Sequence, residues 1–142
     1  MDTFTQADGA ALPTLDFDEF QKLYTSLGRR ADQKLATLVA SFIQSATDLL
    51  AEAREALAVG DRETLHRAAH TLKATAAMMG APALSGLARD LEWATKERLP
   101  PTAVDELTRV EAECLRVCTA LAAVQREVLT RCDSHEQGGI PQ

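Results

Sequence analysis

A chain of 142 residues, with 46% hydrophobic and 25% charged side chains, has the size and balance of one globular domain. Only 4% of the residues are aromatic while alanine and leucine are abundant, a mixture that favours helices over strands. The net charge of −6 argues against a nucleic-acid partner, and no stretch approaches the ~18 apolar residues of a membrane span, so we expect a cytoplasmic protein without a membrane anchor.

Polar and small residues at both ends of the chain predict flexible segments outside the domain. Residues 1–14 contain proline and glycine and predict an N-terminal arm, residues 15–132 form the predicted domain, and residues 133–142 predict a C-terminal tail. The domain begins with a short amphipathic helix from Asp16 to about Leu27, because its apolar residues fall at steps of three and four. Gly28 ends this first predicted helix.

The second and third predicted helices follow directly. A continuous apolar stripe predicts a long helix from about Asp32 to Val59, which Gly60 ends, and Asp61 is a suitable N-cap for the next helix. The third helix ends at Gly80. Its inner face is narrow and consists mostly of small side chains: Leu65, Ala68, Ala69, Leu72, Thr75, Ala76 and Met79.

Two further helices complete the domain. Pro82 suits the first position of a fourth helix, which we expect to continue to about Leu99. Pro100 and Pro101 separate it from a fifth helix, whose N-terminus Thr102 can cap. Four long helices joined by short turns predict an all-α fold, an antiparallel up-down-up-down four-helix bundle with a short additional N-terminal helix.

His70 stands apart from the apolar stripe of the third helix. At about 100° per residue, its side chain points roughly 150° away from the centre of that stripe, which places the imidazole in water. Ala74 and Ala77 follow on the same exposed strip, so nothing bulky covers the ring and a partner surface can approach it. Lys73 can place an ammonium close to a group attached to the ring, and this cation suits a phosphoryl group.

The sharp turn near Ala81 brings the fourth helix alongside this surface. An antiparallel hairpin centred there puts Glu92 level with His70, and Arg89 level with Lys73. A carboxylate beside an imidazole can accept the Nδ1–H, which leaves Nε2 as the nucleophile. Arg89 can add positive potential near a bound phosphate, although a solvated arginine explains the residue equally well.

The run from His70 to Gly80, H-T-L-K-A-T-A-A-M-M-G, followed by Leu91-Glu92, resembles the signature of histidine-containing phosphotransfer (HPt) domains. The strongest similarity spans about residues 65–93, and the helix order agrees over about 16–130. The resemblance implies that His70 is phosphorylated, Lys73 lies beside the phosphate, Gly80 forms the turn and Glu92 orients the ring. Two residues depart from the pattern: Ala74 replaces the usual glycine, and Thr75 the frequent serine.

The resemblance also implies how such a chain works. A response-regulator receiver domain or hybrid sensor histidine kinase is the expected partner, and it supplies the phosphoaspartate and the Mg²⁺. The chain itself is expected to need no cofactor, to have no ATP site, and to act as a monomeric phosphocarrier rather than an enzyme.

Two other interpretations remain open. His66 and His70 form an H-x-x-x-H pair that could bind a metal with Glu63, although Arg67 and Lys73 put positive charge on the same face. Alternatively, the alanine-rich surface around His70, with Met78, could serve a purely adhesive adaptor bundle.

Overall fold

The computed structural model describes residues 12–138, and for residues 132–138 it describes the backbone alone. This part of the chain contains five helices and no strand. The helices are α1 (Phe17–Ser26), α2 (Ala31–Val59), α3 (Arg62–Met78), α4 (Pro82–Ala94) and α5 (Ala103–Gly138). The all-helical class expected from composition is therefore confirmed. None of the described helices is long and apolar enough to cross a membrane.

The predicted domain boundaries remain predictions. Residues 1–11 of the expected arm lie outside the described part of the chain. Just after them, the carbonyl of Pro13 accepts a hydrogen bond of 3.3 Å from the N–H of Ala83. At the other end, the backbone of α5 continues to Gly138, into the segment expected as a tail.

Local capping chemistry explains several of the helix ends. The Asp16 carboxylate accepts hydrogen bonds from two main-chain N–H groups in the first turn of α1, and Asp61 accepts one from Thr64 at the start of α3. Pro82 occupies the first position of α4, where its missing N–H costs nothing. Gly60 ends α2 with a φ of 77°. These ends agree with those predicted from the sequence.

The end of α4 differs from the prediction, because the helix stops at Ala94 rather than near Leu99. The buried Thr95 hydroxyl lies 2.8 Å from the Leu91 carbonyl, and two residues of α3 contact the carbonyls of the last turn. Arg62 donates to the carbonyls of Thr95 and Lys96, and His66 contacts that of Glu92. Side chains from the neighbouring helix therefore satisfy carbonyls at the C-terminal end of α4.

Each of the four long helices contacts two others: α3 packs against α2 and α4, and α5 packs against the same two helices. Together they enclose a core of aliphatic side chains with many alanines. Its largest fully buried members include Leu35, Leu65, Leu72, Met79, Leu84, Leu91, Leu107 and Leu121. Short helix α1 contacts α2.

The turn between α3 and α4 requires a glycine at position 80. Gly80 has a φ of 74°, and its carbonyl accepts a hydrogen bond of 2.8 Å from the N–H of Asp16. A Cβ at this position would lie only 3.1 Å from the main-chain nitrogen of Phe20. The left-handed backbone and the close approach of the α1 backbone therefore both disfavour a side chain here.

We predict that Gly80→Ala destabilises the protein more than Gly60→Ala does. Both glycines have left-handed backbones, so each substitution should cost about 1–2 kcal/mol in backbone strain. Only at position 80 does the added Cβ also meet backbone atoms, because nothing lies within 4 Å of a Cβ at position 60. The measurement is the free energy of unfolding in urea for the wild type and both variants. Equal losses in the two variants would contradict the close contact.

Candidate functional site

His70 lies on the solvent-facing side of α3. The opposite side of this helix supplies Leu65, Ala68, Ala69, Leu72 and Ala76 to the core. This division holds the helix in one rotational position, because turning it would expose the apolar stripe to water. The His70 side chain is 60% exposed, as the periodicity of the sequence predicts.

Helix α4 provides the partner of this imidazole. Oε2 of Glu92 lies 2.6 Å from Nδ1 of His70, and Oε1 of the same carboxylate lies 2.8 Å from Nζ of Lys73. The Glu92 side chain is only 18% exposed, whereas that of Lys73 is 32% exposed. One carboxylate thus holds both a histidine and a lysine of α3, one with each oxygen.

This arrangement assigns the proton on the imidazole. A carboxylate oxygen accepts hydrogen bonds, so Nδ1 of His70 donates to Glu92. In the neutral ring, Nε2 then carries the lone pair. The contact therefore selects the tautomer in which Nε2 can act as a nucleophile.

The same contacts change the acidity of Glu92. Its pKa lies below the ordinary value of 4.5, chiefly because Lys73 donates a hydrogen bond to the carboxylate. Partial burial opposes this effect, and the contact with His70 adds to it. Glu92 is therefore ionised at neutral pH, as an acceptor for two donors must be.

The other residues singled out from the sequence take different places. Ala74 and Ala77 are exposed on α3 beyond His70, and Gly80 is buried in the turn. Arg89 does not join the group around Glu92 but forms an ion pair of 3.5 Å with its neighbour Asp90. It does line, with Lys73 and Ala77, a shallow cavity of about 350 Å³ beside the site.

Nothing in the described residues supports a metal centre. In this part of the chain, no group of three or more histidine, cysteine, aspartate or glutamate side chains is arranged to hold a metal ion. Nδ1 of His66 lies 2.9 Å from the main-chain carbonyl of Glu92 and 3.3 Å from the Thr95 hydroxyl oxygen. His66 thus contacts the end of α4.

Sequence reasoning missed this contact and the neighbouring one from Arg62. A signal existed, because α4 has no basic residue in its own last turn, although cations commonly stabilise the C-terminal carbonyls of helices. Reading the sequence one helix at a time could not show that α3 supplies these groups. It also missed the hydrogen bond of 3.0 Å from the Ser85 hydroxyl to the Lys73 carbonyl, which ties the two helices beside the site.

Comparison with known proteins gives a consistent result. A family model described as Hpt domain matches residues 37–127. Among solved structures, the chain resembles histidine-containing phosphotransfer protein B (HptB) from Pseudomonas aeruginosa PAO1, with a TM-score of 0.72 and 23% sequence identity. That match covers 81% of this chain and 96% of the other. No curated protein matches significantly in sequence.

We predict that replacing Glu92 by glutamine lowers stability at neutral pH by about 1–2 kcal/mol, since the charged acceptor is lost. The pKa of Glu92 is lowered in the folded protein, so its contribution is complete above the ordinary value of 4.5 and is lost as the pH falls through the lowered pKa. Urea unfolding of both proteins, from about pH 7 to about pH 3, measures the difference.

The exposed residue Glu97, which lies outside this group, provides the matched control as Glu97→Gln. A difference between wild type and Glu92→Gln that stays constant down to the acid limit would contradict the charged contact.

Proposed function

The chain belongs to the family of histidine-containing phosphotransfer domains, and on this premise we propose that His70 is the residue that carries the phosphoryl group. Members of this family are phosphocarriers that work with receiver domains and kinases in phosphorelays, and this chain is such a histidine phosphotransfer protein. The observation that carries the assignment is the exposed imidazole whose Nδ1 lies 2.6 Å from Oε2 of Glu92. Since Nδ1 is engaged in this contact, Nε2 is the nitrogen that remains for a partner in this proposal.

In the proposed reaction, Nε2 of His70 attacks the phosphorus of a phosphoaspartate on a receiver domain. The N–P bond forms, the acyl P–O bond breaks, and the aspartate leaves as a carboxylate. Because Nδ1 keeps its proton, the ring becomes positively charged as the bond forms. The Glu92 carboxylate beside Nδ1 offsets this charge, so it stabilises the phosphorylated ring more than the free one. The reverse reaction passes the group to another receiver.

Lys73 is the proposed phosphate-side cation. Its ammonium lies on the same carboxylate as His70 and sits on a flexible stem, so it can turn towards a phosphoryl group on Nε2. Ala74 and Ala77 are exposed and small, so their side chains do not obstruct access to the ring. This suits docking of a receiver over α3. Arg89 is a secondary member of this proposal, as a cation at the edge of the same surface.

The helix order fits an up-down-up-down bundle of α2 to α5, which we include in the proposal. Two ion pairs join α2 and α5, Asp32 with Arg131 and Arg54 with Glu111. Residue numbers rise along α2 as they fall along α5, which is the order of antiparallel helices. The main-chain register of α3 and α4 has the same order: Arg62 donates to carbonyls just after the end of α4, whereas the carbonyl of Lys73 accepts from Ser85 near its start. Helix α1 is the short additional helix.

The remaining expectations are part of the same proposal. Mg²⁺ belongs to the receiver domain, and the chain needs no cofactor of its own, no ATP site and no second copy of itself. A cytoplasmic location stays a prediction from the sequence. The adaptor and metal-binding interpretations are not favoured, because phosphotransfer, the function of the matched family, accounts for the arrangement of His70, Lys73 and Glu92.

We predict that His70→Gln abolishes phosphorylation of the chain. The wild type, incubated with a receiver domain carrying radiolabelled phosphate, should acquire label that is lost in acid and stable in alkali, as expected for phosphohistidine. The chain has three histidines, and His135→Gln is the matched control that should label as the wild type does. Labelling of His70→Gln would refute the assignment, as would a wild type that takes no label from any receiver domain of the same genome.

For Lys73, we predict that the alanine variant transfers phosphate about 10- to 100-fold more slowly, since one cation near the transferred group is lost. Lys73→Arg keeps the charge and should retain most of the rate. Rapid-quench measurement of a single turnover gives the rate constants. Equal rates for Lys73→Ala and the wild type would exclude the lysine from the transfer.

A further inference from the structure

The last turn of α4 leaves a main-chain acceptor for another helix to bind. In a continuing helix, the N–H of Lys96 would donate to the carbonyl of Glu92. Here the N–H of Lys96 donates to Trp93, and that of Thr95 donates to Leu91. The Glu92 carbonyl is therefore not paired with the Lys96 N–H; the Thr95 hydroxyl lies 3.2 Å from it, and as an acceptor at a helix C-terminus it can also take a donor from outside the helix.

His66 meets this acceptor. Its Nδ1 lies 2.9 Å from the Glu92 carbonyl oxygen, and because a carbonyl only accepts, Nδ1 carries the proton. The hydroxyl oxygen of Thr95, at 3.3 Å from the same nitrogen, is a second neighbour. The imidazole of His66 is thus fixed in one tautomer by main-chain chemistry.

Three side chains of α3 therefore converge on a single residue of α4. His66 binds the main-chain carbonyl of Glu92, and His70 and Lys73 bind the two oxygens of its carboxylate. The three residues are spaced by one turn and then by nearly another, so they lie on one side of α3. Helix α3 therefore contacts both the main chain and the carboxylate of Glu92.

We propose that His66 is a positioning residue for phosphoryl transfer, acting through its Nδ1–H on the Glu92 carbonyl. This inference rests on the proposed function of His70. Holding the main chain of Glu92 fixes the point from which its side chain reaches His70 and keeps the carboxylate within hydrogen-bond distance of the ring. A displacement of about 1 Å at such a position can cost about 100-fold in rate.

A merely structural role would predict something different. Arg62 also joins α3 to the end of α4, through the carbonyls of Thr95 and Lys96, but it does not contact Glu92. Arg62→Ala is therefore the matched control, since it removes a contact between the same two helices. His66→Asn is the conservative variant, because its side-chain nitrogen can occupy the place of Nδ1 and donate to the same carbonyl.

The experiment combines two readouts on the full chain. The first is the single-turnover rate of phosphoryl transfer from a receiver domain that phosphorylates the wild type, measured over a range of receiver concentrations. His66→Ala should lower the maximal rate by about tenfold with an unchanged half-saturating concentration, and His66→Asn should recover most of it. The second is the ¹⁵N chemical shifts of His70, which should report mainly the Nδ1–H tautomer in the wild type and a mixture in His66→Ala.

Each outcome decides one claim. An unchanged rate and an unchanged His70 tautomer in His66→Ala would overturn the positioning role while leaving His70 as the carrier. An equal loss of rate in Arg62→Ala, or no recovery in His66→Asn, would also overturn it in favour of a general brace between the helices. Labelling of His70→Gln would instead refute the proposed function. The tautomer measurement does not depend on phosphoryl transfer, so it would still test whether His66 positions Glu92.

Discussion

The carboxylate of Glu92 is the point on which the arrangement of the site depends. It is the only group of α4 that contacts both His70 and Lys73 among the interactions described for residues 12–131, and it is mostly shielded from water. Two conditions bring it there. The α3–α4 turn sets which residues of the two helices lie side by side. Gly80 lets that turn lie close to the backbone of α1. The contacts of α3 with the end of α4 then hold the last turn in place.

Charge explains why one carboxylate between two donors suits the proposed reaction. In the free protein, Glu92 and Lys73 neutralise each other, and the histidine contributes a hydrogen bond. When Nε2 bonds to phosphorus, the ring gains positive charge and the phosphoryl group brings negative charge. The carboxylate can then serve the ring and the ammonium can serve the phosphoryl group, so the same three residues balance both states. Partial burial strengthens these interactions relative to bulk water.

The sequence predicts much of this arrangement and fails at identifiable places. The exposure of His70 follows from helical periodicity alone, and its contact with Glu92 follows from a short turn between two helices, since neither needs knowledge of other side chains. The same register puts Arg89 level with Lys73, and both residues line the cavity beside the site. It did not predict that Lys73 binds Glu92, because a long flexible side chain can reach a carboxylate that is not level with it. The roles of these residues in transfer remain predictions.

The early end of α4 was also outside the reach of the sequence, and it matters for the site. Had this helix continued to about Leu99, as its pattern suggested, the Lys96 N–H would have paired with the Glu92 carbonyl, and His66 would have had to share that acceptor with it. Ending at Ala94 frees the carbonyl just where α3 presents a donor. The end of α4 depends on α3 as well as on its own sequence, because Arg62 and His66 provide donors for carbonyls at that end. A helix end that the sequence did not predict is therefore what connects His66 to the residue beside His70.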